Sequence, residues 1–142
     1  MKNKKILNTI AITMVSLTMI VFVAYKVFSQ QSTWTAPPTA NQKTNYVTAD
    51  VTNNLAGKNL YVKECLSCHG KYGKGDGPAA AALGKPVGDL SSAKSQAQTD
   101  GSYFWKTQTG KPPMPAFQKR LNETQTWQLV NYIRTLNPTS KK

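Results

Sequence analysis

The chain has 142 residues, with 18 Lys or Arg against six Asp or Glu, for a formal charge of +12. That length bounds it to one small domain plus accessory segments. The basic excess fits either an acidic partner met by electrostatic steering or a merely solubilising surface, and nucleic acid is a poor partner for a chain with the export features below.

Residues 6–25 form an uncharged, largely apolar run, preceded by Lys2, Lys4 and Lys5. Such a run is long enough to span a bilayer core, and the lysines place the N-terminus in the cytoplasm, with the remainder on the periplasmic or outer side. Residues 1–29 therefore read as a single-pass anchor in the cytoplasmic membrane. A cleaved signal peptide with a weak site at Val27-Phe28-Ser29 is the alternative. Residues 30–52, rich in Thr, Gln, Asn and Ala around Pro37-Pro38, read as a flexible linker, or as one ordered against a larger complex. The domain then covers 53–138, with a tail at 139–142. Setting aside Lys2, Lys4, Lys5 and Lys26 leaves 14 basic residues against six acidic ones, or +8, outside the membrane.

A first helix is expected over 54–65, with Thr52, Asn53 or Asn54 as N-cap, Leu55, Tyr61 and Val62 as apolar positions, and Gly57 one turn from Tyr61. Its end meets Cys65-Leu66-Ser67-Cys68-His69, which holds both cysteines and the only histidine. This is the attachment signature of a c-type haem: two thiols reach two vinyl groups along one porphyrin edge, and the following imidazole can bind the iron. A structural zinc needs four ligands where these residues supply three. A thioredoxin-like pair wants a βαβ context that is absent here. A disulfide remains open for an exported chain but leaves His69 without a role. A covalent porphyrin would also supply core that a domain of this size lacks.

The loop Tyr72-Gly73-Lys74-Gly75-Asp76-Gly77 has no phosphate-loop pattern and no strand before it. Pro78 opens a short helix through Leu83, closed by Gly84. A second helix is expected over 101–108, with Asp100 as N-cap and the aromatics Tyr103, Phe104 and Trp105. Three prolines then surround Met114 in Lys111-Pro112-Pro113-Met114-Pro115-Ala116-Phe117, a loop with little backbone freedom that would present the methionine from an extended strap. A lone methionine more commonly fills a core gap. The last helix begins with Asn122 as N-cap and Gln125 three residues on, presents Trp127, Leu129, Val130, Tyr132, Ile133 and Leu136, and stops at Asn137-Pro138. Gly57 and Tyr61 are its natural contact.

From about Leu55 to Leu136 these motifs, in this order, resemble a class I monohaem cytochrome c of the membrane-anchored bacterial respiratory type. The resemblance implies an all-α fold of about three to five helices around one covalent haem c, preceded by one transmembrane helix. It implies haem attachment at Cys65 and Cys68, His69 and Met114 as axial ligands, and Pro78, Tyr103, Trp105 and Phe117 around the haem. The Pro78 carbonyl would accept from the far nitrogen of His69. No catalytic residue is implied: the protein would carry single electrons between a quinol-oxidising complex and a terminal oxidase or reductase. On sequence proximity alone, Lys71, Lys74 and Lys111 are expected to ring the exposed haem edge. A fixed haem subunit of such a complex is the alternative. Further off stands a haem enzyme or gas sensor with an open distal site.

Overall fold

The computed structural model describes residues 34–138. Its elements follow the chain as α1 (Pro38–Asn41), α2 (Val51–Glu64), α3 (Leu66–His69), a 3₁₀ turn (Ala80–Leu83), α4 (Ala93–Gln96), α5 (Asp100–Thr109) and α6 (Glu123–Thr135). The fold is all-α, and the short α1, α3 and α4 bring the described helices above the expected number. Among the described residues no helix is long and apolar enough to cross a membrane. The expected span at 6–25 and the tail at 139–142 lie outside them.

α2 starts three residues earlier than expected, because Asp50 outcompetes its neighbours as the cap: its carboxylate accepts from the Asn53 N–H at 2.8 Å. The helix then crosses α6 at Gly57. A Cβ there would stand 1.9 Å from the Gln128 carbonyl oxygen, so only glycine lets the two backbones meet this closely. One turn on, Tyr61 is fully buried, its ring 5.2 Å from that of Tyr132. Leu55 and Val62, expected as apolar positions of this helix, are mostly exposed.

α6 carries the capping box its sequence announces, with Asn122 and Gln125 exchanging side-chain-to-backbone hydrogen bonds. Its 3–4 spacing buries Thr126, Trp127, Leu129, Val130 and Ile133. α5 also starts one residue early, capped by Thr99 rather than Asp100. Arg134 of α6 ties α4 and α5 together: its guanidinium donates to Asp100 Oδ1 and to the Gln96 carbonyl, each at 2.7 Å.

The linker expected over 30–52 is corrected from residue 35 onward, where the chain joins the compact unit Thr35–Lys142. Asn131 supplies the reason. It is 5% exposed on α6, and a buried amide must find partners. Its Oδ1 accepts from Asn45 Nδ2 at 2.7 Å and its Nδ2 donates to the Val47 carbonyl at 3.0 Å. Lys43 pairs with Glu123 at 2.8 Å and lies 4.0 Å over the Phe104 ring, while Tyr46 packs edge-on against Trp127.

Candidate functional site

α2 ends at Glu64 and α3 begins at Leu66, with Cys65 as the shared cap. The His69 N–H donates to the Cys65 carbonyl at 2.8 Å and the Cys68 N–H to the same oxygen at 3.1 Å. Residues three and four apart in such a turn share a face. Both thiols and the imidazole are thus presented together, and both cysteines are free.

Gly70 stops the turn with a φ of 76°, a conformation that disfavours any side chain. A Cβ there would also lie 1.9 Å from Asp76 Oδ1. The glycine-rich loop then folds back on the carbonyls that the end of a helix leaves unpaired. Gly75 N–H reaches the His69 carbonyl at 2.9 Å, Gly77 N–H that of Cys68 at 3.1 Å, and Ala79 N–H that of Ser67 at 2.8 Å. The loop is therefore a brace under the thiol–imidazole turn. Gly84 closes the 3₁₀ turn in the left-handed conformation, as its position after Leu83 implies.

Burial holds the His69 imidazole below its ordinary pKa, so the ring is neutral at neutral pH. Its Nδ1 stands 3.3 Å from the Gly88 carbonyl. With Nδ1–H donating there, Nε2 keeps the lone pair a metal would use. The carbonyl facing the imidazole here is that of Gly88 rather than Pro78. Pro78 is exposed, while the 84–90 segment is drawn in by the Leu90 N–H, which donates to the Gly73 carbonyl at 2.6 Å.

Burial, reinforced by the Glu64 carboxylate, pushes the Cys65 thiol up to about 12. A redox-active Cys-x-x-Cys works through a lowered thiol pKa, so the electrostatics run against thiol–disulfide exchange.

Met114 is held differently from the extended strap expected. The Lys111 N–H donates to the Met114 carbonyl at 3.0 Å and the Met114 N–H to the Lys111 carbonyl at 2.8 Å. Pro112 and Pro113, enclosed between them, have no N–H to offer. The strap is therefore a closed turn. It returns to α5 through the Phe117 N–H, which donates to the Thr107 carbonyl at 3.1 Å. Half-buried Met114 and Cys65 both pack against the core cluster that contains Tyr103 and Phe117. Trp105 is half-buried on α5.

Two features escaped the sequence reading. Gly88 carries no side chain to mark it, and the Glu64–Arg120 ion pair joins residues 56 apart. That pair ties the segment after Met114 to the residue before Cys65. The Glu64 side chain is only 6% exposed, against 54% for Arg120.

The donor set fits a covalently held haem: two unpaired thiols and a neutral imidazole on one face of a turn, with a thioether against the same core. Among the described residues no three His, Cys, Asp or Glu side chains are placed to hold a bare metal ion.

Comparison with known proteins agrees. No curated protein matches the chain. Among solved structures it is similar to a chain of a reducing HAO-like protein complex of Kuenenia stuttgartiensis, with 31% identity and a TM-score of 0.57, covering 64% of this chain and 46% of that one. It is also similar to the c-type cytochrome KustC0563, with 26% identity and a TM-score of 0.50, covering 57% of this chain and 96% of that one. The sequence pattern of the cytochrome c family matches residues 55–137, which take in the thiol–imidazole turn, the Met114 loop and α6. The chain belongs to the cytochrome c family, whose members are electron-transfer proteins with covalently attached haem c.

Proposed function

We propose that this cytochrome c is a monohaem electron carrier of class I, held at the outer face of the cytoplasmic membrane by residues 1–29. Cys65 and Cys68 form the thioethers, and His69 and Met114 ligate the iron. The observation that carries this reading is the packing of Cys65 and Met114 against one core cluster. The haem supplies reversible one-electron chemistry when bound, and a histidine–methionine pair favours a high potential. The protein's part is to hold both ligands still. His69 is oriented by the Gly88 carbonyl, the Met114 turn is closed by its own backbone, and Glu64–Arg120 ties the two segments together.

The partners in this reading are redox proteins: a quinol-oxidising complex on one side and a terminal oxidase or reductase on the other. Lys71, Lys74 and Lys111 are exposed and suit acidic docking surfaces. A fixed subunit of a larger oxidoreductase is the second reading, and two observations favour it. The Kuenenia neighbour is part of a complex. The compact unit also begins at Thr35, leaving only residues 26–34 after the proposed span, a reach of at most ~30 Å.

The mass of the native protein and its oxidised spectrum test the assignment. One added haem with a methionine–iron charge-transfer band is expected; two alkylatable thiols, or rapid carbon monoxide binding by the reduced form, would overturn it. Inserting about 20 Gly/Ser residues at position 30 separates the readings, because a shuttle tolerates the added reach and a fixed subunit loses activity.

A further inference from the structure

α2 has two apolar faces and only one is covered. Gly57 and Tyr61 lie against α6. On the other side Val51, Leu55 and Val62 are 85%, 56% and 52% exposed. Their spacing, with Lys58 between, makes one row along the helix, and at a helical rise per residue it runs about 16 Å. Its C-terminal end opens into a groove of about 320 Å³ between α2 and α6, lined by Val62, Leu66, Tyr72, Tyr132 and Leu136. Tyr72 is 54% exposed. The row and groove thus gather all but one of the large apolar side chains that the described residues leave mostly exposed. The other, Tyr46, packs against Trp127 away from the patch, and within the groove the Lys71 ammonium lies 5.6 Å over the Tyr72 ring. A solvated helix face does not need such a row, and contiguous exposed apolar surface marks an interaction site.

The charges select the occupant. Lys58 and Lys71 are the charged residues lining the groove, and among the described residues neither has a carboxylate partner. A second copy of this chain, meeting the patch about a two-fold axis, would bring these lysines against themselves. A lipid surface could cover the convex row but has no rigid projection to fill the concave end.

We propose that the row and groove dock an acidic protein partner, which inserts a large apolar side chain between α2 and α6 and sets carboxylates over Lys58 and Lys71. Leu66 is shared between this groove and the Cys65–His69 turn, so the partner sits beside the attachment site. The proposal does not depend on which residue is the distal ligand.

The test is a selection of displayed random peptides on the full-length holoprotein in detergent, followed by affinity measurement. Selected peptides should combine an aromatic or large aliphatic residue with flanking Asp or Glu. They should bind V62D and K58E about tenfold more weakly than wild type, and lose affinity as salt rises. The absorption spectrum of each variant should match wild type, since both sites are exposed. Four results would overturn the proposal: no enrichment, peptides without acidic residues, undiminished binding to V62D, or a patch that instead drives binding to phosphatidylglycerol vesicles or a salt-insensitive dimer abolished by V62D.

Discussion

The Tyr61 hydroxyl donates to the Gly70 carbonyl at 2.7 Å, in the protein interior. It joins the helix that packs on α6 to the residue that ends the His69 turn. Replacing Tyr61 with Phe leaves that carbonyl only the longer 3.3 Å bond from the Gly73 N–H, and loss of one such hydrogen bond costs about 0.5–1.5 kcal/mol. Denaturant unfolding of the holoprotein at pH 7 reads the loss.

The same hydroxyl carries a pH dependence. Burial raises its pKa well above the ordinary 10.0, and Tyr103 and Tyr132 are raised in the same direction. Below pH 10 all three are protonated in folded and unfolded chains alike. Above it the unfolded chain releases protons that the folded one retains, so stability falls as pH rises. Tyr61 alone should contribute a slope of about 1.4 kcal/mol per pH unit there. Unfolding curves between pH 9 and 11 should be flatter for Y61F than for wild type.

Gly57→Ala tests the helix crossing. The added methyl meets the Gln128 backbone, which cannot yield as a side chain would. Overpacking of this kind costs about 1–3 kcal/mol, against a gain of up to about 1 from helix propensity. A net loss is expected, read as a lower thermal midpoint with an unchanged visible spectrum.

Arg120→Ala uncovers the nearly buried Glu64 carboxylate. Arg120 itself is half in water, so the loss of stability should be nearer about 1 kcal/mol than the roughly 3–5 kcal/mol of a fully buried pair. The more telling readout is local. With Met114 as distal ligand, its charge-transfer band should disappear at lower denaturant in the variant than in wild type, ahead of global unfolding.

Charge reversal at Lys71, Lys74 and Lys111 tests the electron-transfer surface. Oxidation of the reduced protein by ferricyanide, an anion, should slow severalfold at low salt. Its salt dependence should flatten, while a cationic cobalt oxidant should show the opposite trend. Rates that do not move place the exposed haem edge elsewhere.

What could be read from the chain was what acts over a few residues. Asn122 and Gln125 cap α6 within one turn, Gly57 and Tyr61 mark a close helix contact by spacing, and Cys65 to His69 is a single turn. Asp50 shows how narrow that legibility is, since Asp50, Thr52, Asn53 and Asn54 are all able to cap α2 and the choice fell to the one outside those considered. The rest depends on distant partners. Residues 45–48 show no apolar period, and nothing local shows that Asn131, far along the chain, holds them. Gly88 and Arg120 are placed near the site by loops whose course no periodicity records.

The belt that Asn131 fastens sets the minimum size of anything that can be transplanted. A haem domain cut at residue 53 would keep every motif yet strip Tyr46 and Lys43 from Trp127 and Phe104, leaving two aromatic rings facing solvent and a buried amide without its mates. The compact unit begins at Thr35. Grafts, fusions and soluble fragments of this protein should be measured from there, because the portable piece is longer at its front than the family pattern it bears.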